Sequence, residues 1–199
     1  MDADFWNGRY AREEFVYGTE PNDFVREVAA RIPPGPVLCL AEGEGRNAVH
    51  LAARGHAVTA VDQSEVALKK ARQLAAARGV VVETVAADLT AYDIRPGAWA
   101  GIVSIWAHLP PAVRRPVYAR VARGLQPGGV FVLEAYTPDQ LGRGTGGPRS
   151  VELLLTAAQL RADLGGLEFD ILRELDRDVF EGTAHTGRAA VVQALARRL

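Results

Sequence analysis

Between an apolar run and the helical pattern that follows it lies Glu42-Gly43-Glu44-Gly45-Arg46-Asn47. Glycines here let the backbone approach a ligand closely, and the helix behind them turns unpaired N–H groups toward it. Asp62 closes a second apolar run. A carboxylate there can accept two ribose hydroxyls, each bond worth roughly 1.5–3 kcal/mol; its plainer role is a charge at a helix N-terminus. Asp88, after Val85-Ala86-Ala87, is placed to accept from an adenine amino group while apolar neighbours stack on the ring, or simply to cap a loop. Read literally, Gly43-x-Gly45-x-x-Ala48 with Asp62 also meets the dinucleotide fingerprint.

From Val37 onward, short β-branched runs alternate with amphipathic stretches, the pattern of βαβ units around a parallel sheet. Strands are predicted at Val37–Ala41, Ala57–Val61, Val80–Val85, Ile102–Ile105 and Val130–Ala135. Helices run from Arg46 to Arg54, from the N-cap Ser64 to Gly79, and from Ala112 to Leu125, the last stopped by Pro127-Gly128-Gly129. In such a doubly wound sheet the ligand crevice lies at the carboxyl ends of the strands, where the residues above fall. Thr137 to Pro148, with four glycines and two prolines, reads as a surface loop able to cover the site. A helix over Ala157–Leu164 is followed by strand-like runs Glu168–Leu175 and Ala189–Leu195 with no helix between them, an antiparallel pair.

The chain of 199 residues, 48% hydrophobic and 24% charged, is long enough for one domain with a real core. It divides into a helical cap over 1–36, a cofactor-binding core over 37–136, the Gly-rich loop over 137–150 and a C-terminal helix with strands over 151–199. The net charge of −1, without basic blocks, leaves no footprint for nucleic acid or an anionic membrane and points to a small-molecule partner. No apolar segment approaches a membrane span, and the lone Cys39 has no internal bridging partner, so a cytoplasmic location is expected. Between Leu38 and Leu40, Cys39 reads as a small core residue. His50, His56 and His185 have no metal-ligand spacing with it, and no metal site is predicted.

Together these features resemble the class I S-adenosylmethionine-dependent methyltransferases over roughly residues 37 to 199. Val37 to Gly45 is similar to that family's first motif, Ala60-Val61-Asp62 to its ribose-binding acidic position with Gln63 beside it, and Ala87-Asp88-Leu89 to its adenine-contacting position. Leu125-Gln126-Pro127-Gly128-Gly129 resembles the turn before the fifth strand, and the closing antiparallel pair resembles the family's antiparallel last strand. Trp6, Tyr10 and Tyr17-Gly18, with Gly43-Glu44-Gly45-Arg46-Asn47-Ala48, resemble the tellurite-resistance and thiopurine methyltransferase branch.

The resemblance implies a Rossmann-like, mostly parallel α/β sheet, S-adenosylmethionine as cofactor, and methyl transfer to a small molecule such as a thiol or a metalloid oxyanion. It implies cofactor contacts from Ala41, Glu42, Gly43, Gly45, Arg46, Asn47, Asp62, Gln63, Ala87, Asp88, Leu89, Ser104, Trp106 and Tyr10. Trp6 and Tyr17 would line the substrate pocket with Tyr136 and His108; otherwise the N-terminal aromatics anchor a helix to the core. His108, in Ser104-Ile105-Trp106-Ala107-His108, falls where the fourth motif faces the transferring methyl, and is the candidate for orienting or deprotonating an acceptor. Two positions depart from the pattern: the usual acidic residue of the first motif is Cys39, and its first glycine is Ala41. A positive φ at Ala41 would cost on the order of 1 kcal/mol, and Glu42 would supply the missing carboxylate. The alternatives are an NAD-dependent oxidoreductase and a non-catalytic adenosyl-ligand-binding protein.

Overall fold

Val37, Leu38, Cys39 and Leu40 are all buried, which leaves their strand room only at the centre of a sheet covered on both faces. In the computed structural model, which describes residues 2–199, the elements are α1 (Ala3–Tyr10), α2 (Asp23–Val28), β1 (Pro36–Leu40), α3 (Arg46–Ala53), β2 (Ala57–Asp62), α4 (Glu65–Ala77), β3 (Val82–Ala86), β4 (Trp99–Ile105), α5 (Pro111–Gly124), β5 (Leu125–Tyr136), α6 (Ala157–Asp163), β6 (Glu168–Glu181) and β7 (His185–Arg197). The sheet order is β3-β2-β1-β4-β5-β7-β6. Neighbours from β3 to β5 are parallel, and β7 runs antiparallel to both β5 and β6. This is the Rossmann-like α/β sheet with its antiparallel end.

Alternation along the strands divides the core in two. Leu38, Leu40, Ile102 and Phe131 face Val117, Tyr118 and Val121 of α5 and Leu160 of α6. Val37, Cys39, Val103 and Val132 face Phe24 and Val25 of α2, Leu51 of α3 and Leu74 of α4. Local signals hold the helices at the sheet: Ser64 Oγ accepts from Ala67 N at 3.1 Å, and Thr156 with Gln159 forms a capping box on α6.

Several boundaries differ from the sequence reading, β4 among them, which begins at Trp99 and not Ile102; three have a clear physical reason. Val80 N donates to Ala75 O, so Val80 closes α4 and β3 starts at Val82. Pro127-Gly128-Gly129 lies inside β5, where the register against β4 shifts between Trp99 and Gly101; the helix has already ended at Gly124. The final hairpin is longer at its tip, because the charged alternation Asp176-Arg177-Asp178 continues the pairing. β5 ends at Tyr136 opposite Val191, so residues 176–190 project past the carboxyl edge of the sheet. Among the described residues, no helix is long and apolar enough to cross a membrane.

Candidate active site

A cavity of about 460 Å³ opens at the carboxyl ends of β1 to β4. Its floor begins where β1 gives out: Ala41 takes φ 49°, the left-handed conformation expected of a glycine, at a cost of roughly 1–2 kcal/mol. Glu42 Oε1 then accepts from the backbone N–H groups of Asn47 and Ala48, both at 2.8 Å, capping the N-terminus of α3 from outside. Burial pushes the Glu42 carboxyl up to about 7, against the lowering influence of the Ala48 amide, the Arg46 charge and the Asn47 amide. Burial, aided by Glu42, likewise raises the Cys39 thiol, which stays in the core. Gly45 must lack a side chain, since a Cβ there would stand 2.6 Å from that of Ala71 on α4.

At the end of β2, Asp62 accepts from Gly43 N with Oδ2 and from Ser64 N with Oδ1, each at 2.8 Å. The carboxylate therefore locks two turns together, and each oxygen keeps a lone pair for a ligand. Burial raises its pKa despite the Ser64 and Gly43 amides. Past β3, Asp88 Oδ1 accepts from Thr90 N at 2.7 Å, which lowers its pKa and fixes the carboxylate at the mouth.

The N-terminal segment closes one side. Glu44, 3% exposed, pairs with Lys70 at 2.8 Å and accepts from Tyr17 N at 3.3 Å, tying this segment to the Gly-rich turn. Trp6 stacks on Tyr10, and the Tyr10 hydroxyl sits over Gly43, where a Cβ would meet it at 2.8 Å.

The opposite side is built on Trp106, just past β4, which also takes a positive φ, 58°. Its indole stacks on Tyr136 at 4.3 Å between ring centroids, and Nε1 donates to Glu181 Oε2 at 2.5 Å. Behind it lies a buried charge cluster. Glu181 pairs with Arg46 at 2.5 Å, Arg177 bridges Glu134 at 2.5 Å and Glu181 at 3.2 Å, and Asn22 Nδ2 donates to both carboxylates at 2.8 Å. Burial alone would raise the Glu181 pKa, but Arg46, Trp106 and Arg177 outweigh it and hold the carboxyl below its ordinary range. His108 hydrogen-bonds Leu153 O through Nδ1 at 3.0 Å, and burial lowers its pKa to about 4.

Of the residues named from the sequence, the cavity wall brings together Ala41, Glu42, Arg46, Asn47, Asp62, Gln63, Ala87, Asp88, Leu89, Trp106 and His108 with Trp6, Tyr10 and Tyr17. Gly43 and Gly45 shape the turn beneath the wall, Ser104 is buried in β4, and Tyr136, fully buried, backs Trp106 without reaching the surface. The sequence reading missed Arg9, Glu44 and His185, while the end of the predicted covering loop, Gly147 and Pro148, does line the cavity. His185 arrives on the tip of the β6–β7 hairpin, and the signal that locates it is the charged alternation continuing beyond Leu175.

Residues 37–129 match the family described as "Methyltransferase domain". Over those residues the chain is similar to methyltransferase domains. Outside the matched residues, the sheet continues through β7 and β6. A search of curated proteins returns no match. Among solved structures, the fold is shared with the protein of "Conversion of a Disulfide Bond into a Thioacetal Group during Echinomycin Biosynthesis" (TM-score 0.75, 21% identity, 98% of this chain and 91% of that one). It is also similar to TehB from Haemophilus influenzae (TM-score 0.74, 20% identity, 99% of this chain and 67% of that one). A S-adenosylmethionine-dependent methyltransferase from Methanosarcina mazei gives TM-score 0.69 at 17% identity, over 90% of this chain and 99% of that one. Among the described residues, no group of three or more His, Cys, Asp or Glu is arranged to hold a metal ion.

Proposed function

We propose that the cavity holds S-adenosylmethionine across the ends of β1, β2 and β3 and methylates a small molecule bound beside Trp106 and His108. The observation that carries this reading is Asp62, whose two oxygens are aimed by the Gly43 and Ser64 amides at the cavity and keep capacity for a ribose diol. Ala87 and Leu89 would hold the adenine, with Asp88 accepting at its edge, and Ala41 and Glu42 would receive the methionine end. The volume suits such a ligand, since small-molecule sites occupy about 300–1,000 Å³. When bound, the cofactor supplies an already activated methyl group, so the chain's work is alignment and exclusion of water. Trp6, Tyr10 and Tyr17 cover the cavity from the N-terminal side, and His108 orients the acceptor. The resemblance to TehB in fold, and the N-terminal aromatic cover, favour the tellurite-resistance and thiopurine branch.

Glu42 takes the place of the carboxylate missing at Cys39 and meets the cofactor's ammonium group. Its pKa of about 7 then makes binding pH-dependent. The ionised fraction rises from about one tenth at pH 6 to about nine tenths at pH 8, so cofactor affinity is expected to rise up to about tenfold over that range and to level off above it. Because folding raises this pKa from 4.5, Glu42's contribution to the stability of the ligand-free chain is full below pH 4.5 and is lost as pH rises through about 7. Glu42→Gln removes both dependences; an unchanged affinity profile in that variant would exclude Glu42 from the ammonium site.

The reading as a whole is tested by calorimetric titration with S-adenosylmethionine and by S-adenosylhomocysteine release across an acceptor panel. Binding with turnover is expected. Perturbed fluorescence of a reduced nicotinamide cofactor in place of adenosyl binding would make the site a dehydrogenase, and binding without consumption would make it a sensor.

A further inference from the structure

At the acceptor end of the cavity, no buried cation is left without a partner among the described residues. Arg46 is paired with Glu181, and Lys70 with Glu44, all four side chains nearly buried. Arg9 is exposed on the rim and donates to the Tyr17 hydroxyl at 2.9 Å. What the wall presents instead is neutral. A backbone carbonyl can only accept, so the bond from His108 to Leu153 O places the proton on Nδ1 and leaves Nε2 with a free lone pair. Nε2 is buried without a partner, as is Nδ1 of His185. Both imidazoles lie against the Tyr136 ring, at 5.5 and 5.4 Å between centroids, and burial keeps both uncharged, lowering His185 to about 3 with Glu181 only partly opposing. Aromatic faces of Tyr17 and Trp106 complete the enclosure.

We propose that the methyl acceptor is an uncharged molecule held between His108 and His185, its reacting heteroatom donating its hydrogen to Nε2 of His108, and that oxyanions are excluded. The proposal rests on the methyl-transfer reading above and narrows its acceptor. An anion entering this pocket loses hydration and finds no buried protein cation free to pair with it, only Arg9 at the exposed rim and the cofactor's own sulfonium, whereas a neutral hydrogen-bond donor satisfies a buried acceptor that nothing else serves. In the transfer, a lone pair of the heteroatom forms the new bond to the methyl carbon while the sulfur–carbon bond breaks with its electron pair remaining on sulfur. The heteroatom's proton passes to Nε2 and from there to solvent. His185 fixes a second polar group of the acceptor.

The test uses the full chain and three probes: 2-mercaptoethanol, 3-mercaptopropionate, which carries the same thiol with an added carboxylate, and selenite. S-adenosylmethionine affinity is first measured calorimetrically; no binding would overturn the methyl-transfer reading and this proposal with it. With cofactor bound, kcat/KM for 2-mercaptoethanol is expected to exceed that for 3-mercaptopropionate by about 100-fold, with no methylated product from selenite. Equal turnover of the two thiols, turnover of neither, or turnover of selenite overturns the proposal alone. His108→Ala is expected to lower kcat for 2-mercaptoethanol by about 10²–10⁴-fold with cofactor affinity within about twofold; an unchanged kcat overturns the assignment. His108→Gln, close in size, covers the case in which the alanine variant does not fold and should lose rate in the same direction. His185→Phe should raise KM about 2–10-fold with little change in kcat.

Discussion

Asp62→Ala is expected to weaken S-adenosylmethionine binding by about 10²–10⁴-fold, the equivalent of two charge-assisted hydrogen bonds. The loss has a second source in the chain itself. Gly43 N and Ser64 N would both lose their acceptor, and the turns at the ends of β1 and β2 would no longer be tied to one carboxylate. Asn is no conservative replacement here: one of its two ends is an NH₂ group, which would face a backbone N–H where Asp62 offers an oxygen. Calorimetry on Asp62→Ala, with a thermal melt of the same sample, separates the two contributions. A well-folded variant that binds within tenfold of the parent would show that the ribose is held elsewhere.

Glu134→Ala carries the largest expected cost in stability. Glu134 is fully buried on β5, where it accepts from Asn22, Arg177 and Gln193. Removing it leaves the Arg177 guanidinium, with 12% side-chain exposure, only its longer contacts to Glu181 at 3.2 Å and Asp23 at 3.1 Å, and breaking a buried pair from one side costs about 3–5 kcal/mol. For a chain of this length that is a fall in Tm of roughly 6–20 °C, measurable by circular dichroism. Replacing both partners, as in Glu134→Met with Arg177→Met, should be milder than Glu134→Ala, because no charge is then left unpaired. A double variant as unstable as the single one would mean that Glu181 and Asn22 depend on Arg177 more than Glu134 does.

The sheet was legible because its parallel strands are buried on both faces and so write themselves as unbroken apolar runs; Val37–Leu40 and Val58–Val61 needed no further context. The ends of those strands were legible for the same reason, which is why Ala41, Asp62 and Asp88 were located together. The conformation of Ala41 could be read from the glycine that the first motif places there. The outer half of the site was harder. Tyr136 ends an apolar strand like the other wall residues, yet stacking by Trp106 covers it, and no local pattern announces a stack between residues on different strands. His185 and Glu181 sit on a half-solvated hairpin whose charged alternation reads equally as a connection. Their partners, Trp106, Arg46 and Asn22, are distant in sequence, and single-sequence periodicity carries no pairing information.

That projecting hairpin also sets the order in which the site can come into being. Asn22 donates to Glu181 across 159 positions of chain, and Thr183 N donates to Val16 O beside it. Contacts of such separation close late, because the loop entropy they remove must be overcome before they are rewarded. The βαβ core over residues 36–136 is made of nearer pairings and can form first, with the proposed nucleotide end of the cleft already shaped by Asp62 and the Gly-rich turn. The acceptor end exists only once the N-terminal segment and the hairpin tip have met.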